Sequence, residues 1–133
     1  MPTSRRVITD LMVDKQARSR RDPAARQRKV IERRVQNALT TIFDPATPRI
    51  DLFNMGMIYG VAAADDGQVV VELAFSSPGH PGNLELPKRV ADTVRELDGV
   101  TGCRVKIVSD PPWDLGRVSD YARIHLSVVG ADD

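Results

Sequence analysis

The sequence predicts a small α+β domain in the order αββαββ around one mixed sheet, preceded by a basic N-terminal arm that is helical or disordered. Three observations carry that expectation. Apolar residues recur at helical spacing in two stretches. Short β-branched runs bounded by turn residues lie between and after them. A chain of 133 residues suits one domain with a real core and no staples.

Asp22-Pro23 opens the first helix, with Asp22 as cap and Pro23 at the first helical position. Val30, Ile31, Val35, Ala38, Leu39, Ile42 and Phe43 follow at helical spacing, opposite Arg28, Glu32, Arg33 and Gln36. Asp44-Pro45 ends the helix, because a residue before proline disfavours helical angles. A loop punctuated by Pro45, Pro48 and Gly56 leads to a strand at 57–61. Asp65-Asp66-Gly67 is a tight-turn signal before a second strand at 68–75, which makes a hairpin. A Gly/Pro loop, 76–83, enters a second helix with Leu84, Leu86, Val90, Ala91, Val94 and Leu97 on one side. Pro87 is tolerated there because it lies near the first turn. Asp98-Gly99 closes this helix. Cys103, Val105 and Ile107 alternate with Arg104, Lys106 and Val108, the pattern of a half-buried strand. Asp110-Pro111-Pro112-Trp113 breaks it, with Trp113 expected to anchor the loop in the core rather than to form an interface hot spot. A last strand is predicted at 122–129, where His125 alternates with Ile124, Leu126 and Val128.

Hydrophobic residues at 41% and charged residues at 28% fit a soluble globular chain and exclude full disorder. No apolar run approaches the ~18–20 residues of a spanning helix, and no secretory signal is expected at the start. The single cysteine, Cys103, excludes an internal disulfide framework and any cluster site built from this chain's thiolates alone. A reducing cytosol, hence a cytoplasmic location, is the expected compartment.

The net charge of +1 hides an asymmetry. Residues 1–41 carry 11 Lys/Arg against 4 Asp/Glu, whereas 42–133 carry 8 against 14. We therefore divide the chain into a basic extension, 1–27, and a domain, 28–130. Arg5, Arg6, Arg18, Arg20, Arg21, Arg26 and Arg28 are the candidate partner-binding residues of this arm. The apolar patch Val7-Ile8-Thr9-Asp10-Leu11-Met12-Val13 reads as a docking segment. The acids Asp10, Asp14, Asp22 and Glu32 count against a transit peptide.

No phosphate-cradling glycine loop, His-Glu-x-x-His or Gly-x-Ser-x-Gly motif occurs. The most informative stretch is the loop between the second strand and second helix, with Ser76, Ser77, Gly79, His80 and Asn83 as candidate functional residues. A helix start offers free N–H groups there, and His80 is a candidate metal ligand, with Cys103 the other candidate if a site is shared between subunits.

At this point four stretches, in order, carry a resemblance. They are Asp44-Pro45-Ala46-Thr47-Pro48, then 50–59 (IDLFNMGMIY), then Ser76-Ser77-Pro78-Gly79-His80-Pro81, then Asp110-Pro111-Pro112-Trp113 followed by Ser119-Asp120-Tyr121-Ala122-Arg123. Across about residues 30–128 the chain resembles the metal–sulfur cluster assembly factors, the small domain of PaaD-like and SufT-like proteins. The resemblance implies an αββαββ fold and a part in iron–sulfur delivery or metalloenzyme maturation. The PaaD branch accompanies a multicomponent diiron oxygenase. It also marks Asp44, Asp51, Asn54, Asp110 and Trp113 as family-motif positions.

Three positions depart from the family pattern. Ala46 stands where an acid is usual, Asn54-Met55-Gly56 replaces Asp-Leu-Gly, and His80 replaces a reactive cysteine. A neutral imidazole is a weaker iron ligand than a soft, anionic thiolate. Cys103, expected to face the core, does not replace it. The expectation is thus a non-catalytic accessory subunit or maturation factor, with metalloenzyme or oxygenase subunits as partners and no stably bound cofactor. The alternative is an iron or iron–sulfur carrier that binds its cargo transiently at a site shared between subunits, and a homodimer stays open. Membrane binding is not expected. Nucleic-acid binding is disfavoured by the acidic body and by aromatics at only 5%.

Overall fold

A computed structural model describes residues 22–131. The expectations for Arg5, Arg6, Arg18, Arg20, Arg21 and the patch at 7–13 lie outside the described residues.

Helix α1 (Pro23–Ala38) starts as its sequence predicts: the Asp22 carboxylate accepts a hydrogen bond from the Ala24 N–H at 3.0 Å. Ala25, Ile31 and Val35 form its buried stripe, continued by Leu39 and Ile42. Val30 and Phe43 stay exposed, so the stripe is narrower than the periodicity alone predicts. The helix also ends before Asp44-Pro45. It tightens into a 3-10 turn (Leu39–Thr41), where the Thr40 and Thr41 hydroxyls donate to the Asn37 and Ala38 carbonyls, each at 2.6 Å.

Two short strands, β1 (Phe43–Asp44) and β2 (Thr47–Asp51), pair antiparallel where the prolines predict only loop. The main sheet has the order β3-β4-β5 among the described residues. Strand β3 (Ile58–Ala63) runs antiparallel to β4 (Gln68–Leu73) as the predicted hairpin. Helix α2 (Leu86–Arg95) then crosses back, and β5 (Gly102–Ile107) lies parallel to β4. The sheet is therefore mixed, as expected. Helices α1 and α2 bury one face of it: Val69, Val71, Leu73 and Cys103 pack with Ile31, Val35, Leu86, Val90 and Val94. Each such side chain contributes roughly 1.5–3 kcal/mol. The opposite face, with Val70, Arg104 and Lys106, is open.

The final element corrects the predicted strand order. Residues predicted as a strand at 122–129 form helix α3 (Asp120–Ala131). The Ser119 hydroxyl accepts from the Ala122 N–H at 3.2 Å, an N-terminal cap. Ala122 and Leu126, four apart, turn towards the core, whereas Ile124 is 68% exposed. A strand would put 122, 124 and 126 on one face, and a helix separates 124 from the others. His125 therefore stacks on Tyr121 of the same helix, with ring centroids 6.0 Å apart, instead of alternating in a sheet.

Candidate functional site

The β1–β2 hairpin gathers the four motifs into two adjacent polar clusters. In the first, the buried Asp44 accepts a 2.5 Å hydrogen bond from the Ser76 hydroxyl and one from the Ala46 N–H at 3.1 Å. The loop after β4 closes over it. Gly79 takes a positive φ of 87°, a turn conformation that favours glycine. Gly82 sits so close to Pro45 that an added Cβ would lie 2.4 Å from the proline ring. His80 caps a short 3-10 turn (Pro81–Leu84), its Nδ1 accepting from the Gly82 N–H at 3.0 Å. The Asn83 side chain donates to the Ser77 carbonyl at 2.8 Å, and that carbonyl also accepts from the His80 N–H at 3.1 Å. The structure thus places Asp44, a family-motif position, against the loop that carries Ser76, Ser77, Gly79, His80 and Asn83.

The second cluster ties the 50–59 motif to the 110–123 motif. Asp51 accepts from the Asn54 N–H at 2.9 Å and from its side-chain amide at 2.7 Å. The Asn54 side-chain oxygen accepts in turn from the Ser119 hydroxyl at 2.7 Å. The Trp113 indole N–H donates to the Met55 carbonyl at 2.7 Å, so Trp113 anchors its loop on the core. The Tyr59 hydroxyl donates to the Pro111 carbonyl at 2.8 Å, and the Arg117 guanidinium stacks over the Tyr59 ring at 3.8 Å. Asp110 is exposed and joins neither cluster. Arg28 pairs with Asp65, and Arg26 is exposed on α1, away from both.

Sequence reasoning passed over Arg117 and the capping role of Ser119. The signal for Ser119 was present: a serine followed by Asp120 marks a helix start. Nothing local marks Arg117, whose role depends on a tyrosine 58 positions away.

These residues do not form a ligand set. Among the described residues no three His, Cys, Asp or Glu side chains converge. Asp44 is committed to Ser76 and Ala46, and Asp51 to Asn54. His80 faces a conflict of its own. An imidazole that ligates through Nε2 carries its proton on Nδ1, and a protonated Nδ1 cannot accept from Gly82. Cys103 pairs with Val69 at the opposite end of the parallel strands, about 13 Å along β4 from the His80 loop. It is buried, and desolvation pushes its thiol pKa up, partly offset by Arg95.

The sequence profile of the iron–sulfur cluster assembly proteins matches residues 32–107, more than half of the chain. The chain belongs to this family. It is similar to the Fe-S protein maturation auxiliary factor SufT of Staphylococcus aureus, 33% identical over 79 residues, covering 59% of this chain and 90% of that protein. It is also similar to the Fe-S protein maturation auxiliary factor YitW of Bacillus subtilis, 29% identical over 98 residues, covering 74% of this chain and 95% of that protein. A crystal structure of a domain of unknown function from Bacillus anthracis superposes with a TM-score of 0.73 at 26% identity, over 78% of this chain and 98% of the other. The names of the curated relatives describe auxiliary proteins rather than enzymes, in agreement with a non-catalytic chain. No helix among the described residues is long and apolar enough to cross a membrane.

Proposed function

We propose that this chain is a cytoplasmic accessory factor for metalloprotein maturation that acts by binding its client and keeps no resident metal. One observation carries the reading: the family's scaffold is retained, while the polar groups of both motif clusters are spent on internal hydrogen bonds. The names of SufT and YitW support the maturation role. The client class we favour is a multicomponent diiron oxygenase, by the likeness of the motifs to the PaaD branch. Contacts with the client fall to the basic arm with Arg26 and Arg28 and to the loop around His80. Leu84, beside that loop, is 86% exposed, an apolar side chain suited to burial in a complex.

The test is purification of the tagged full chain from its source, with quantitative mass spectrometry of what co-elutes. A metalloenzyme at near-equal amounts, lost when residues 1–21 are removed, is the expected result. A chain that elutes alone contradicts the reading. A second reading, a transient iron or iron–sulfur carrier with a site shared between two copies, has one observation in its favour: His80 is partly exposed, although ligation through Nε2 requires the ring to give up its cap on the Gly82 N–H.

A further inference from the structure

Strand β5 is an edge of the sheet among the described residues. The Val108 N–H donates to the Leu73 carbonyl at 2.9 Å, so Arg104, Lys106 and Val108 turn their backbone groups to β4. Those of Cys103, Val105 and Ile107 turn outward, and Arg95 donates to the Cys103 carbonyl at 3.3 Å. No described residue bonds the N–H or C=O of Val105 or Ile107, which leaves a short open ladder. The two faces of this edge differ. On the open face of the sheet Arg104 and Lys106 are exposed, and neither joins an ion pair among the described residues. Glu72 is the β4 neighbour of Lys106, but its carboxylate leans over Gly60 of β3, where an added Cβ would lie 2.6 Å from the Glu72 Oε1. On the helix-covered face Ile107 is 46% exposed and borders an apolar pocket of about 160 Å³ with Phe75, Pro78, Pro112 and Trp113. An edge of this kind is a template for another strand.

We propose that this edge docks an extended segment of the client protein, added to β5 as a further strand in which acidic and apolar side chains alternate. The proposal rests on the client-binding reading for the source of that segment. The ladder supplies main-chain hydrogen bonds, which are blind to sequence. The two faces supply the selection. Successive residues of a strand point to opposite faces, so every second residue of the guest lies beside Arg104 and Lys106, and the others lie beside Val105, Ile107 and the pocket. A carboxylate suits the first face and a large apolar side chain the second. A second copy of this chain suits the first face badly. Antiparallel pairing of β5 with itself, centred on Val105, sets Arg104 against Lys106; centred on Lys106, it sets that lysine against its own copy. The cations thus deter self-pairing at the edge while admitting an acidic guest.

The experiment is amide hydrogen exchange on the full chain, with and without an excess of the capped heptapeptide Val-Glu-Val-Glu-Phe-Glu-Val as probe, and with Val69 and Val71 as internal controls. The peptide should slow the Val105 and Ile107 amides at least about tenfold and leave the controls unchanged. The same peptide with Lys in place of Glu should bind at least about tenfold more weakly, and the double variant Arg104→Glu, Lys106→Glu should reverse that preference. Amides that the peptide does not slow, or a preference that the double variant does not reverse, would overturn the proposal. So would amides already protected without peptide: the edge is then covered by the chain itself or, where protection grows with protein concentration, by a second copy. The result is separable from that of the co-elution test. A chain that elutes alone yet binds the peptide contradicts the client reading and keeps the edge as an acceptor of acidic strands. A client retained by a chain that ignores the peptide contradicts the edge alone.

Discussion

Gly56 is held at a φ of 70°, and an added Cβ there would lie 2.2 Å from the Arg117 carbonyl oxygen. Both the backbone angle and the space exclude a side chain. Gly56→Ala should therefore cost about 2 kcal/mol or more in a urea titration, and a cost below about 0.5 kcal/mol would show that the 110–117 loop gives way easily. Asp44 makes a different demand. Its carboxylate is buried, and Asp44→Ala strands the Ser76 hydroxyl that donates to it. A loss of about 1–3 kcal/mol is expected, whereas Asp110→Ala, at an exposed position outside both clusters, should stay within about 0.5 kcal/mol. Cys103 should resist alkylation at neutral pH in the native protein and react quickly in denaturant, because burial favours its protonated thiol. The sign follows: the raised pKa leaves stability intact below the ordinary thiol range and erodes it as the pH rises through the folded value. Rapid native alkylation would place the thiol outside the core.

At the scale of elements, helix α3 depends on Ser119, which caps it and also donates to Asn54. Ser119→Ala should lower stability by about 1–2 kcal/mol, and Asp22→Ala, which removes only the α1 cap, by about 1 kcal/mol. Equal and negligible effects from both would deny the coupling of α3 to the 50–59 motif. The cap of α1 was legible in its sequence because Asp-Pro acts locally. Helix α3 was not, because Ile124, Leu126 and Val128 imitate an alternating strand. The burial of Ala122 beneath an exposed Ile124 is what separates the two readings, and burial is a tertiary fact. The parallel pairing of β4 with β5 follows from the crossover helix, whereas the β1–β2 hairpin depends on pairing across two prolines that read as loop.

For the molecule as a whole, the motif residues were visible in sequence order, and the loop around His80 does close onto Asp44. What the order could not reveal is how completely those residues satisfy one another. Asp51 ends on Asn54, Asn54 on Ser119, and the His80 ring on its own loop. The proposed client-binding role rests on that internal satisfaction. The most direct test is anaerobic reconstitution of the full chain with iron and sulfide, wild type beside His80→Ala, followed by the visible spectrum and an iron assay. The account predicts substoichiometric iron that is the same in both proteins. Stoichiometric iron in the wild type, lost in His80→Ala, would contradict it and make the chain a carrier.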